Sequence, residues 1–217
     1  DPANAERSFR ICMTDGSHIT LLPQLLAHVR ALAPRVKLVA ARIDERTAPA
    51  LQSSDADLAP GYTPWLEAGF YQQALYAQDW VCLANARHPK IRKTLTRRVY
   101  EAVGHVGITG GTGGELLASA LKRARTRRQV MLELPGFLGL GAIVASTVLI
   151  ATLPRQIGEA LAASAGLAVH ASPIAIAPFT VQQHWHARAH HDGANRWLRG
   201  VCEGLFQRRH RRGARPG

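Results

Sequence analysis

The chain has 217 residues, 47% of them hydrophobic and 19% charged, with a net charge of +12. These proportions exclude a disordered or fibrous chain, and the length fits one large domain or two small ones. Three scattered cysteines, Cys12, Cys82 and Cys202, exclude a disulfide framework and favour a reducing, cytoplasmic setting. The most apolar stretch, 137–153, is too short for a membrane span, so we expect no membrane association.

Strand and helix signals alternate from the start of the chain. Residues 9–13 predict a buried strand, and the polar turn 14–17 leads into a helix over 19–32. The next elements predicted are a strand at 36–43, a short helix at 48–54 and a strand at 56–62.

The same alternation continues to the end. It predicts strands at 76–85, 105–108, 129–134, 149–154 and 179–188, and helices at 114–124, 136–146, 155–165 and 192–206. This rhythm favours mostly parallel sheets covered by helices. Because a polar turn follows a strand and starts a helix at 14–17 and again at 109–114, we expect two α/β lobes.

The glycine-rich stretch 107–114 raises the question of a nucleotide site. A phosphate loop needs Lys and Ser or Thr after its last glycine, but Gly114 is followed by Glu115 and Leu116. The dinucleotide spacing also does not fit. Two interpretations stay open: a structural loop, and the anion-binding start of a helix with Thr112 as its cap.

Positive charge is concentrated in three runs, at 87–98, 122–128 and 208–215. We interpret the runs as solvated faces in preference to direct nucleic-acid contact, since none interleaves aromatic residues as a single-strand platform does.

Enzyme and metal signals are weak. His184, His186, His190 and His191 lie close together in sequence, but no cysteine or carboxylate cluster joins them, so we expect no metal site. Ser17 lacks the flanking pattern of a nucleophile, and no paired carboxylates stand in an apolar context. We therefore expect a protein that is not an enzyme and needs no cofactor.

Several stretches together resemble the effector-binding domain of LysR-type transcriptional regulators, in the branch that responds to aromatic acids and flavonoids. They are "MTDGSHITLLPQLL", "DADLAPGYTP", "AGFYQQALYAQDWVCLANARHP", "STVLIATLP" and, most specifically, "WHARAHHDGANRWLRG". The resemblance implies an α/β fold like the type II periplasmic binding proteins, with two Rossmann-like subdomains joined by two crossover strands. Lobe I would be 1–77 plus 178–217, and lobe II 78–177.

The resemblance also implies an effector pocket between the lobes. Its expected contacts are Gly16, Ser17, Phe70, Tyr71, Gly111, Thr112, Gly136, Phe137, Leu138 and Phe179, with Phe70 and Tyr71 as an aromatic wall near the hinge. Related sequences often carry a polar residue at the position of Gly111 and a histidine at that of Gly136, so this pocket is expected to be roomier or tuned to another ligand.

The function implied is that of a cytoplasmic domain that senses a small anionic or aromatic effector and controls DNA binding and transcription. The alternative is a free-standing solute-binding protein of the same fold. The family further implies a homodimer or homotetramer, promoter DNA bound through an N-terminal winged helix-turn-helix that this chain lacks, and RNA polymerase as a further partner. Since no initiator Met opens the sequence, we expect a piece of a longer regulator.

Overall fold

A computed structural model describes residues 6–66 and 68–213, except the side chains of 164, 165 and 208–213. The chain divides into two compact units. Unit 1 is Asp1–Ala77 with Thr180–Gly217, and unit 2 is Gln78–Phe179. Strands and helices alternate in both units, as expected for an α/β fold.

Unit 1 contains two groups of strands. Strands β1 (Ser8–Met13) and β2 (Lys37–Arg42) pair in parallel, and β3 (Ala59–Gly61), β10 (Phe179–His186) and β4 (Phe70–Gln78) form a second sheet in that order. A bond from Cys12 N to Leu58 O (2.9 Å) connects β1 to the residue before β3. The helices are α1 (Asp15–Thr20), α2 (Leu22–Leu32), α3 (Thr47–Ser53) and α8 (Gly193–Gly213).

The helix predicted over 19–32 is two helices that meet at Leu21. Helix α1 starts earlier than expected because the Thr14 side chain caps it by accepting from the Ser17 N–H. Pro23 lies in the first turn of α2, where its missing N–H costs nothing, and Leu25 and Val29 are buried.

Unit 2 is built on a five-stranded sheet in the order β7-β6-β8-β5-β9. The strands are β5 (Trp80–Asn85), β6 (Gly104–Ile108), β7 (Gln129–Leu134), β8 (Ile150–Pro154) and β9 (Leu167–Ala171). Its helices are α4 (Arg97–Ala102), α5 (Gly114–Arg123), α6 (Leu140–Ser146) and α7 (Arg155–Ala165). Strands β6, β7 and β8 are parallel, whereas β5 runs antiparallel to β8 and β9, so this sheet is mixed.

Two further expectations are corrected, and two elements were not predicted. The strand predicted over 76–85 is divided at Asp79 between β4 and β5. The helix predicted from 136 begins only at Leu140, because 135–139 form a turn. Helix α4 and strand β9 were not predicted, since both are short and carry no strong period. Among the described residues, no helix is long and apolar enough to cross a membrane.

Candidate functional site

In unit 1 a polar turn follows the carboxyl end of β1. Ser17 is buried, its N–H donates to Thr14 O (3.0 Å), and the Thr14 and Ser17 hydroxyls lie 3.3 Å apart. Gly16 is also buried, and its carbonyl accepts from the Thr20 hydroxyl (3.1 Å). The turn therefore presents two adjacent hydroxyls at the strand end, where ligands of open α/β sheets bind.

The structure separates the expected aromatic wall. Phe70 and Tyr71 are neighbours on β4, so their side chains point to opposite faces of the strand. Phe70 packs with Cys12 and Leu51 and meets His186 edge-on at 5.3 Å, whereas Tyr71 stacks on His190 at 4.1 Å. Phe70 also lies eight residues, about 26 Å at the usual strand rise, before Gln78, where the chain enters unit 2. The two rings do not line one surface near the hinge.

Residues 185–200, the closing motif, contain a stacked cluster in unit 1. The Arg199 guanidinium lies 4.1 Å from the Trp185 ring centre, and it donates to Asn195 Oδ1 (2.9 Å) and His190 O (3.1 Å). Trp185 Nε1 donates to His190 Nδ1 (3.3 Å). Asn195 in turn donates to Asp57 O (2.7 Å). These bonds attach α8 to β10 and to the residues just before β3, so the motif has a structural role.

The histidines at 184–191 make contacts with other side chains of unit 1. His184 is buried, accepts or donates a hydrogen bond with the Thr63 hydroxyl (3.0 Å), and has its pKa lowered by burial. No group of three potential metal ligands occurs among the residues that the structure describes. Thr63, two residues beyond β3, is a buried polar residue that the sequence reasoning missed.

In unit 2 the glycine loop and the turn after β7 lie side by side. Thr109 N donates to Leu134 O (2.9 Å), and a Cβ added at Gly110 would stand 1.9 Å from Pro135 O. Gly111 and Gly113 have φ of +88° and +98°, a region that favours glycine. Gly113 is the N-cap of α5 and no side chain caps that helix, so the expected cap by Thr112 is wrong.

The turn after β7 contains the three other expected contacts. Phe137 is buried and Gly136 half-buried. Leu138, in contrast, is 98% exposed, so its side chain contacts little of the protein. Of this turn, Gly136 and Phe137 are placed beside the glycine loop, and Leu138 points to solvent.

Phe179 lies at the same edge of the unit 2 sheet. Its ring is 5.8 Å from that of Trp80, and Trp80 pairs with Pro154 at the carboxyl end of β8. Since β6, β7 and β8 are parallel, their carboxyl ends share that edge. The sheet thus brings 109–113, 135–139 and Phe179 to one side of unit 2.

Asp79 is fixed where the chain enters this unit. The Arg155 guanidinium donates to both Asp79 oxygens (2.7 Å each) and holds the pKa of that carboxyl below its usual range. Arg155 N also donates to Asp79 O (2.9 Å). The first residues of unit 2 are therefore held by the start of α7.

The three thiols do not suit nucleophilic chemistry. All are buried and unpaired. Burial raises the pKa of Cys82 to about 11 and that of Cys202 to about 12, and it also raises the pKa of Cys12. The thiolate, which is the reactive form, is therefore scarce at each position at neutral pH.

Known proteins are similar to this chain in sequence and in structure, and they confirm the predicted α/β fold of the type II periplasmic-binding-protein class. Residues 3–207 match the family described as "LysR substrate binding domain". The HTH-type transcriptional activators NahR of Pseudomonas putida and NagR of Ralstonia sp. are 34% and 29% identical over 95% of this chain, which spans 69% of each. A putative transcriptional regulator from Vibrio parahaemolyticus has a TM-score of 0.89 at 25% identity, over 99% of this chain and 100% of that one. The regulatory domain of MexT, a transcriptional activator in Pseudomonas aeruginosa, gives 0.81 at 29% identity, over 92% and 99%.

These matches confirm the resemblance seen in the sequence, and the relatives named are transcriptional regulators rather than enzymes or transport proteins. The chain belongs to the LysR substrate-binding domain family and is the effector-binding domain of a LysR-type transcriptional regulator.

Proposed function

We propose that this domain binds a small anionic or aromatic effector through the strand-end loops of each unit. In unit 1 the contacts are Gly16 and Ser17, next to the Thr14 hydroxyl. In unit 2 they are Gly111, Thr112, Gly136 and Phe137, with Phe179 at the same sheet edge. The observation that carries the proposal is the juxtaposition of loops 109–113 and 135–139, with Gly110 against Pro135, at the carboxyl ends of parallel strands.

The chemistry of these loops suits a carboxylate or a hydroxylated ring. Threonine and serine hydroxyls donate to carboxylate oxygens, and glycine lets a ligand approach the backbone closely. Phe137 and Phe179 supply aromatic surface for an apolar ring. Three of the expected contacts are less suited to bind the effector. The side chains of Phe70 and Tyr71 lie on opposite faces of β4, and that of Leu138 is fully exposed.

A thermal-shift screen against small carboxylates and hydroxylated aromatic acids tests the proposal. A ligand at about 100 times its Kd stabilises the folded state by about 2.7 kcal/mol. For a chain of this size that corresponds to a rise in Tm of roughly 5–10 °C. Ser17→Ala and Thr112→Val should each reduce the shift given by the best ligand.

Ser119→Ala is the matched control, since Ser119 is an exposed residue of α5, five residues after the start of that helix, and is not a proposed contact. An effector whose shift survives in both Ser17→Ala and Thr112→Val would refute the assignment of the loops. If Ser119→Ala also loses the ligand-induced rise in Tm, the losses reflect a general effect on the fold and not contacts made by the loops.

We further propose that two copies associate through α2 of one and β7 of the other, as a homodimer or as part of a homotetramer. β7 is an edge strand that exposes Val130 and Met131, and α2 exposes Leu26 and Leu32. Leu32→Glu or Met131→Glu should shift the mass measured by light scattering toward one chain. A control change at exposed Leu138 to Ser should leave the mass unaltered.

The regulator is proposed to act in the cytoplasm, where three buried, unpaired cysteines stay reduced. Promoter DNA would be bound through the winged helix-turn-helix of the longer protein, with RNA polymerase as a further partner. Effector binding would then act by favouring one arrangement of the DNA-binding domains over another.

A further inference from the structure

Two of the basic runs, separated by 23 residues in sequence, form one surface in unit 2. The Arg97 guanidinium donates to Ala124 O (2.7 Å), which joins the start of α4 to the end of α5. Beneath this contact, apolar residues of both segments enter one core cluster: Ile91, Leu95, Val99, Leu121 and Ala124. The cations of 87–98 and of 122–128 therefore lie on adjoining segments, which the sequence alone does not reveal.

Net charge is concentrated on this surface. Unit 2 has twelve Lys and Arg residues against five Asp and Glu, a net charge of +7, and eleven of the twelve cations belong to the two runs. Unit 1 without the arginines of 208–215 has ten of each sign. The eleven cations are Arg87, Lys90, Arg92, Lys93, Arg97, Arg98, Lys122, Arg123, Arg125, Arg127 and Arg128.

These cations have few acidic partners. Within the described part of the chain, Arg97 is the one member of the set that makes an ion pair, with Glu101 at 3.0 Å. Ten of the eleven side chains belong to exposed residues, and Arg128 is half-buried. Such unpaired charges repel one another, so a bound polyanion would relieve a cost that the folded domain carries.

A groove of about 650 Å³ lies on the part of this surface that the run 87–98 forms. It is lined by Lys90, Arg92, Lys93 and Arg98, with the hydroxyl residues Thr94 and Thr96 between them. Cations and hydroxyls of this kind contact phosphate oxygens in DNA-binding proteins. No aromatic residue lines the groove, which favours the backbone of a duplex over stacked single-stranded bases.

We propose, in place of the solvated faces expected from the sequence, that this joined surface of unit 2 binds the phosphate backbone of double-stranded DNA without reading its sequence. The inference goes beyond the effector site and does not depend on it. In the intact regulator, such contacts would add to the affinity supplied by a separate DNA-binding domain and would place the effector-binding domain against DNA flanking the site.

The test is fluorescence anisotropy of this 217-residue chain with a labelled duplex of about 30 base pairs and arbitrary sequence, across a range of salt concentrations. The fourfold variant Lys90→Glu, Arg92→Glu, Lys93→Glu, Arg98→Glu should bind about tenfold or more weakly at about 50 mM salt. Its slope of log K against log salt should fall in magnitude by up to about 3.6, since each of the four lost phosphate contacts removes about 0.9.

The matched control reverses four exposed cations of unit 1 that lie outside α2: Arg10→Glu, Lys37→Glu, Arg42→Glu and Arg46→Glu. Both variants have the same net charge, and circular dichroism with the melting temperature verifies that both are folded. Equal losses in the two variants, or no loss in either, would overturn the proposal, because net charge or the terminal arginines would then account for binding. A polyglutamate peptide that binds as tightly, with the same dependence on the four residues, would also overturn it in favour of an acidic protein partner.

Discussion

Gly110 offers a sharp test of how the two loops of unit 2 are packed. Its substitution by alanine adds one methyl group whose Cβ would stand 1.9 Å from Pro135 O and 3.0 Å from Pro135 C. Those atoms belong to backbone, so they cannot rotate away as a side chain can. To restore a contact of about 3 Å, loop 109–113 and turn 135–139 must separate by about 1 Å.

The loss of stability in Gly110→Ala follows from the contacts that this separation weakens. Overpacking of this kind costs about 1–3 kcal/mol. Displacing the loop also weakens the bond from Thr109 N to Leu134 O (2.9 Å), worth about 1 kcal/mol. We therefore expect Gly110→Ala to lower stability by about 2–4 kcal/mol and Tm by roughly 4–16 °C.

Gly114→Ala is the control in the same loop. No atom lies within 4 Å of the added Cβ, and Gly114 is the first residue of α5, so alanine should stabilise by about 0.4–1 kcal/mol. Thermal melts followed by circular dichroism compare the two variants. If Gly110→Ala melts with the wild type or above it, the loops do not pack as described and the proposed effector contacts of unit 2 fail with them.

Three further outcomes follow from the polar groups. Burial lowers the pKa of His105 and His184 from 6.5, so the unfolded chain binds more protons than the folded one as the pH falls. The melting temperature should therefore be highest above pH 6.5 and fall as the pH drops below it. A constant Tm down to about pH 5 would contradict this. Arg199→Lys keeps the charge but loses the planar fork, so it should lower the free energy of unfolding in urea by about 1–3 kcal/mol, and a wild-type midpoint would show that charge alone suffices. Asp79→Asn removes an exposed ion pair with Arg155 and should lower the free energy of unfolding in urea by less than about 1 kcal/mol. A larger loss would mean that this pair also stabilises the residues around it.

Local patterns in the sequence predicted most elements of each sheet. Strand β1 and the cap at Thr14 follow from an apolar run next to a threonine and an aspartate, signals that act within a few residues. The helix α8 and its bond from Asn195 N to Asp192 Oδ1 (2.6 Å) follow in the same way. Strand direction was less accessible, since β5 runs against β8 for reasons of chain path that no local period contains.

In the candidate site, too, the features set by local sequence were predictable and those set by long-range contacts were not. The position of Ser17 after a buried strand is a local fact, and the turn was predicted. That Phe70 and Tyr71 face opposite sides of β4 also follows from strand periodicity, but the resemblance placed them together as one wall. The packing of Gly110 on Pro135, and the joining of two basic runs at Arg97, depend on contacts across 25 or more residues, and such contacts become visible only in the fold.

The residues that identify the family most clearly are not those proposed to contact the effector. Trp185, Asn195 and Arg199 form hydrogen bonds and a stack within unit 1, so their pattern specifies how α8 attaches to β10. Apart from Phe137 and Phe179, the proposed ligand contacts are small residues that follow strand ends and take no part in that attachment. It follows that a relative can keep the closing motif and the fold while its loops accept a different ligand. Ligand specificity in this domain should therefore respond to exchanges in 14–17, 109–113 and 135–139, and not to changes in the motif that identifies the family.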